Sequence, residues 1–290
     1  MSTQACTTWL NLLLCACEQA QTPYLHVIID QAGCESPMRP SVLSVDPPLD
    51  CYSLFTGLPE EGAEDLAPLL VRVELIQPLQ RQWFLGLLNA TQGLPVLMTL
   101  ASDWPFPMLV EHLGRCIEAL NGGCLGILRY YDPRLFPLLF SHVLAPEQHQ
   151  AWLQPALFWS WLDRDGLPQH LLGAAQSPVL DDSFTPLELS DSQIDVLCCA
   201  SDATAAMASL AAELPGEWGA EQRFRGCYSG MLAASAAGLL TSAQREAYTF
   251  EHLRQIWGSE PAMVGRTDGM AFADWQRGDV AGQLAARQSD

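Results

Sequence analysis

Apolar positions along the chain follow two regimes. Up to about residue 175, short dense apolar runs alternate with stretches at helical spacing; after residue 190 the spacing is helical throughout. The run Trp9 to Ala16 reads as an amphipathic helix, with Thr7 or Thr8 as its cap. Tyr24 to Ile29 predicts a strand that ends at Asp30 and the turn residue Gly33. Pro37, Pro40, Pro47 and Pro48 predict loop or extended chain. Tyr52 to Phe55 predicts a short strand closed by Thr56–Gly57, Pro59 to Asp65 an acidic helix start, and Leu69 to Leu75 another strand. Pro78 to Leu88 reads as a helix and Leu94 to Leu100 as a buried strand. Met108, Leu109, His112, Leu113, Cys116 and Leu120 extend a helix from Phe106 to Leu120, stopped by Asn121–Gly122–Gly123.

Gly126 to Leu144 reads as strand, sharp turn and helix. Ile127, Leu128, Tyr130 and Tyr131 favour a strand. Asp132 suits an N-cap and Pro133 the first helical position, and Leu135 to Phe140 continue as an apolar helix. A further helix is expected after Pro146. Ala156 to Trp161 then predicts an aromatic strand, Asp163–Arg164–Asp165–Gly166 a hairpin turn, and His170 to Leu172 the return. Ser177 to Ser190 has little pattern. Beyond it, Ile194 to Leu214, Glu221 to Leu240, Ser242 to Trp257 and, more weakly, Ala271 to Ala286 read as helices, with a start signal in Thr241, Ser242, Gln244 and Glu246. The expectation is an α+β fold: a mixed α/β lobe over 1–175 with a small sheet flanked by helices, a linker over 176–190, and a mainly helical lobe over 191–290.

Charge narrows the function classes. The chain carries 33 acidic and 14 basic residues, a formal net charge of −19, and every basic residue is arginine. Without lysine there is no P-loop lysine, Schiff base or lysine general base. Such acidity argues against nucleic acid and against an anionic membrane surface. It suits a solvated surface or a basic protein partner. The Trp9 to Ala16 run lacks a basic flank and is too short to span a bilayer, so no export signal or membrane insertion is read. The ten cysteines are scattered, as expected of a reduced, cytoplasmic protein.

Catalytic and metal patterns are weak. Gly226-Cys227-Tyr228-Ser229-Gly230 places its serine one position late for a nucleophile elbow and lies in a helical stretch. Cys15 and Cys17 diverge on a helix, and no paired metal spacing occurs. No glycine-rich phosphate loop follows a strand. No catalytic residue, metal ligand or cofactor is therefore assigned. What remains is the polar group around Arg129 and Asp132. It reads either as an internal ion-pair and capping network, with Arg129 tied to Asp132 or to Asp30, or as a recognition site. An enzyme using Asp30, Arg129 and Asp132 in a cleft is the alternative.

Four blocks, in order, resemble the adaptor domain of type VI secretion effector chaperones. They are Tyr24 to Ala32 with Asp30; Tyr52 to Gly57 with Ala67 to Val71; Gly93 to Leu100 with the His112–Leu113 helix; and Leu128-Arg129-Tyr130-Tyr131-Asp132-Pro133-Arg134, followed by Phe158–Trp159. The resemblance covers about 20 to 165. Gln31 departs from it, since a small residue often follows the aspartate. It marks Asp30, Tyr52, Phe55, Pro68, Arg129, Tyr131, Asp132 and Pro133 as motif residues of structural character. It implies a cytoplasmic adaptor rather than an enzyme, whose partners are a toxic effector and the VgrG spike protein onto which the effector is loaded.

Overall fold

The computed structural model describes residues 3–178 and 185–258. Within them the chain forms two compact units, one holding residues up to 140 together with 145–188, the other 141–144 and the residues from 189 on. The predicted helix over Ala271 to Ala286 lies outside the described residues.

The first unit begins with α1 (Thr3–Gln19), β1 (Tyr24–Ile29), a single 3-10 turn Gln31–Gly33, the short α2 (Arg39–Leu43), β2 (Asp50–Ser53) and β3 (Leu69–Glu74). It continues through α3 (Pro78–Ala90), β4 (Leu97–Ala101), α4 (Phe106–Arg115), β5 (Glu118–Asn121), β6 (Cys124–Ile127), the one-turn α5 (Phe136–Leu138), α6 (Gln150–Leu153), β7 (Phe158–Leu162), β8 (Pro168–Leu172) and β9 (Leu187–Glu188). Six strands make one antiparallel sheet in the order β2-β3-β1-β4-β7-β8.

The sheet is covered on both faces, which is why its central strands are largely apolar. Leu25, Val27 and Ile29 of β1, with Leu69, Val71 and Val73 of β3, meet Trp9, Leu13 and Cys17 of α1 and Phe84 and Leu88 of α3 in one buried cluster. Alternate residues point the other way. On that second face His26 stacks on Phe106 of α4, and Trp159 and Trp161 pack against Phe136. Burying each large side chain contributes on the order of 1.5–3 kcal/mol.

Several local expectations are corrected. Thr7 and Thr8 lie inside α1 rather than at its start. Pro59 to Asp65 forms successive turns and no helix, since the stretch offers no apolar face to bury. α4 stops at Arg115, and Glu118 to Asn121 is a strand paired with Cys124 to Ile127. Gly122 and Gly123 both have positive φ, 55° and 81°, so the Asn-Gly-Gly signal is a two-residue hairpin turn and not a helix stop. β6 ends at Ile127, and Tyr130 and Tyr131 occupy a turn. The segment 176–190 contains β9, which pairs in parallel with β5 in a second, three-stranded sheet of order β6-β5-β9.

The second unit contains α7 (Asp191–Ser209), α8 (Ala220–Ala236) and α9 (Ser242–Gly258). Ser190 caps α7 reciprocally with Gln193, and Thr241 Oγ1 accepts from the Gln244 amide at 3.3 Å at the start of α9. Arg245 of α9 ties to Asp202 at 3.0 Å and Asp195 at 3.4 Å on α7.

Candidate functional site

The end of β1 and the turn after β6 bring four of the marked residues together. Asp30 follows the last residue of β1 and is 2% exposed. Arg129 Nη2 donates to Asp30 Oδ2. Asp30 Oδ1 is buried without a well-formed hydrogen bond, although the Ala32 amide lies close enough to pull the carboxyl slightly down. Burial nevertheless pushes the Asp30 carboxyl above its ordinary range; Arg129 offsets only part of that cost, and Asp132 adds to it. Tyr131 is buried beneath the Arg129 guanidinium, whose carbon sits 5.9 Å from the ring centre. Its phenol is pushed up to about 12, mainly by burial and then by Asp30.

Asp132 does not cap a helix. Its Oδ1 accepts from the Arg134 amide at 2.9 Å, closing a local side-chain turn, and its carbonyl accepts from Leu135 and Phe136. The helix itself begins at Phe136, so Pro133 lies in the turn before it. Asp132 is paired with Arg134, at 3.0 Å from Nε and 2.7 Å from Nη2, and not with Arg129. The result is two buried carboxylates, each held by an arginine whose side chain is 44% exposed. Chemically this is an ion-pair joint that fixes the β6–α5 turn against the end of β1. Its outward groups are guanidinium N–H donors.

The remaining marked residues sit elsewhere. Tyr52 lies on β2, 47% exposed, with its ring 5.7 Å from that of Phe106. Phe55 is buried just after β2, and the Pro68 carbonyl accepts from the Leu54 amide at 2.8 Å before β3 begins. These residues set the β2–β3 connection and do not join the ion-pair cluster.

Gln31, which departs from the resembled pattern, carries more of this region than any of them. Gln31 is 3% exposed. Its Nε2 donates to the carbonyls of Glu64 at 2.9 Å and Ala67 at 2.8 Å, and its Oε1 accepts from the amides of Met38 at 2.9 Å and Arg39 at 3.4 Å. The glutamine that departs from the resembled pattern thus pins two irregular loops to the end of β1. A long amide directly after a buried strand and aspartate was the only available signal.

Two other motifs resolve structurally. Gly226 and Gly230 of α8 face α9: a Cβ on Gly226 would lie 2.9 Å from Leu253, and one on Gly230 would lie 2.6 Å from Thr249. The glycines permit close helix packing, and Ser229 Oγ lies 3.4 Å from His252 Nε2 beside them. Asp163 Oδ1 accepts from the amides of Asp165 and Leu167, as its hairpin turn requires. Among the described residues no group of three or more histidine, cysteine or acidic side chains is placed to hold a metal ion. Nor is any helix among them long and apolar enough to cross a membrane.

The fold and the joint define a mixed α+β lobe with a helical companion. Residues 25–151, which span β1 to α6 and the whole joint, match the family described as Domain of unknown function (DUF4123). That family is associated with type VI secretion effector adaptors. No curated protein and no solved structure matches the chain.

Proposed function

We propose that this chain is a non-enzymatic, cytoplasmic adaptor that binds one toxic effector of a type VI secretion system and helps load it onto the VgrG spike. The observation that carries the reading is the family match over 25–151, which contains the ordered blocks from Asp30 to Arg134. The chemistry of the joint supports it. Asp30 and Asp132 are each engaged by an arginine, and Tyr131 carries a phenol too basic to give up its proton near neutrality. The arrangement suits holding a fold rigid more than moving protons. The net charge of −19 favours a basic partner surface.

Co-expression with the products of neighbouring genes tests the reading. The adaptor should co-purify with a toxin encoded beside it, and the ternary mixture with the spike protein should form only when the adaptor is present. If no neighbouring toxin or spike gene exists, and no such product co-purifies, the reading fails. A variant lacking 190–290 measures the helical unit's share in capture.

A further inference from the structure

The small sheet ends in a strand built unlike the edges of the large one. The β5–β6 ladder fixes which groups of β6 are used. Leu128 N–H donates to the Ile117 carbonyl at 2.7 Å, and the register pairs Ala119 with Gly126 and Asn121 with Cys124. In an antiparallel ladder hydrogen-bonded and non-hydrogen-bonded pairs alternate. Gly126 and Cys124 therefore spend their backbone groups on β5, while the N–H and C=O of Leu125 and Ile127 point to the open side. Among the described residues no strand pairs there.

Edge strands are usually blunted by proline, charge or a bulge. In the large sheet, β8 starts at Pro168, and β2 carries Asp50 paired with Arg72. β6 reads Cys124-Leu125-Gly126-Ile127, with neither charge nor proline, and Leu125 and Ile127 are 50% and 42% exposed. Register puts Leu125 beside Leu120, and Ile127 beside Glu118, on one face. Glu188 of β9, opposite Leu120, shares that face. The strand face is thus an apolar strip with Glu118 beside Ile127 and, at the hairpin end, Glu188, whose Oε1 accepts from the Gly122 amide at 3.1 Å; no basic residue lies among its members.

We infer that β6 is a strand-addition site for an extended segment of a partner protein, apolar along one face and basic at its flanks. Backbone groups of Leu125 and Ile127 supply the pairing, Leu125 and Ile127 side chains the apolar contact, and Glu118 and Glu188 the charge preference. A second copy is the disfavoured occupant, because it would bring another −19 and the same two glutamates to the contact. As the contact for an adaptor's cargo this inference rests on the reading above; as a strand-binding edge it stands on the geometry.

The test uses the full chain and two probes: a short peptide of alternating valine and threonine with lysines at both ends, and its glutamate-ended counterpart. Saturating lysine-ended peptide should slow hydrogen exchange at the Leu125 and Ile127 amides by about tenfold, and the glutamate-ended peptide should bind more weakly. Ile127→Pro removes an outward donor without touching the β5 ladder and should weaken binding about tenfold. Glu118→Lys leaves the backbone intact and should narrow or reverse the preference between peptides. No protection, or equal affinity for both peptides, overturns the inference. So does protection of these amides in the free protein, whether at all concentrations (the chain's own cover) or only at high ones (a second copy). In the co-purification assay, wild-type capture of the toxin by Ile127→Pro would remove β6 as the cargo contact while leaving the adaptor reading intact. Failure of the unmodified chain to capture any neighbour would sink the adaptor reading and leave the peptide result to decide the edge.

Discussion

Replacing Gln31 by alanine should loosen the first unit far more than its single side chain suggests. The substitution deletes four hydrogen bonds, two to carbonyls and two from amides. The Ala67 carbonyl bond is buried, so its acceptor would keep a full desolvation cost of about 1–3 kcal/mol. The other three are part-buried. Water can reach them after truncation, and together they should add roughly the cost of one more buried orphan. The expected loss is about 2–6 kcal/mol, a large part of a typical domain's stability. Because the chain forms two units, a global melt would mix their transitions. The assay is therefore urea-dependent hydrogen exchange on the amides of β1 and β3. Gln31→Glu sharpens the test: it sets a carboxylate oxygen against two carbonyl oxygens, next to the already buried Asp30. It should be at least as destabilising as alanine at neutral pH and should recover on acidification. A loss below about 1 kcal/mol for alanine, or a glutamate tolerated like glutamine at pH 7, would refute the staple argument.

Arg129→Ala should destabilise the first unit by about 1–3 kcal/mol, the cost of leaving a buried acceptor unpaired, and by more than Asp30→Asn, because the aspartate is buried and the arginine half-exposed; comparable losses in the two exchange profiles would contradict this. Lowering the pH should relieve the Arg129→Ala variant, since protonation removes the stranded charge. His26 is buried and its pKa is lowered to about 3, chiefly by burial and then by Arg72. It is neutral in the folded state while the unfolded chain protonates below about pH 6.5, so its contribution is complete above that value. It should be lost at up to about 1.4 kcal/mol per pH unit between pH 6.5 and about 3. His26→Asn should flatten that part of the stability profile; an unchanged slope would show that His26 is not the titrating group. Finally, Gly230→Ala should cost about 1–3 kcal/mol by overpacking against Thr249, whereas Gly86→Ala, with open space at its Cβ in α3, should gain up to about 1 kcal/mol. Equal changes in hydrogen-exchange stability, read on the α8 amides for Gly230→Ala and on the α3 amides for Gly86→Ala, would refute the packing argument.

The elements that could be read from the chain were those whose burial leaves a one-dimensional trace. β1, β3, β4 and β7 are covered on both faces and so appear as largely apolar runs, and the three helices described after residue 190 keep helical spacing, with a visible start signal for α9 at Thr241. The failures share a cause: a local signal with two meanings. Leu120 happens to sit at helical spacing after Cys116, and Asn-Gly-Gly can stop a helix or turn a hairpin; the pairing of β5 with β6 and β9 decided it. Asp132–Pro133 can open a helix or close a side-chain turn, and the contact with Arg134 chose the turn. In the site, the tie between Asp30 and Arg129 was legible as one of two options. The role of Gln31 was not, because its partners are backbone groups, which leave no mark on residue identity.

The order β2-β3-β1-β4-β7-β8 places the earliest strand of the chain at the middle of the sheet. Its neighbours on either side are β3 and β4, both far downstream, and β7 lies further still. During synthesis β1 therefore emerges with α1 as its only available cover and must wait for β3 before either of its edges is satisfied. The sheet cannot zip as a sequential meander, so its assembly is dominated by long-range closure and is expected to be slow for its size. A ribosome-bound chain arrested before Leu69 would hold a largely apolar strand without a partner, the kind of intermediate that recruits chaperones. For a protein proposed to shepherd another, the first demand for help in folding is its own.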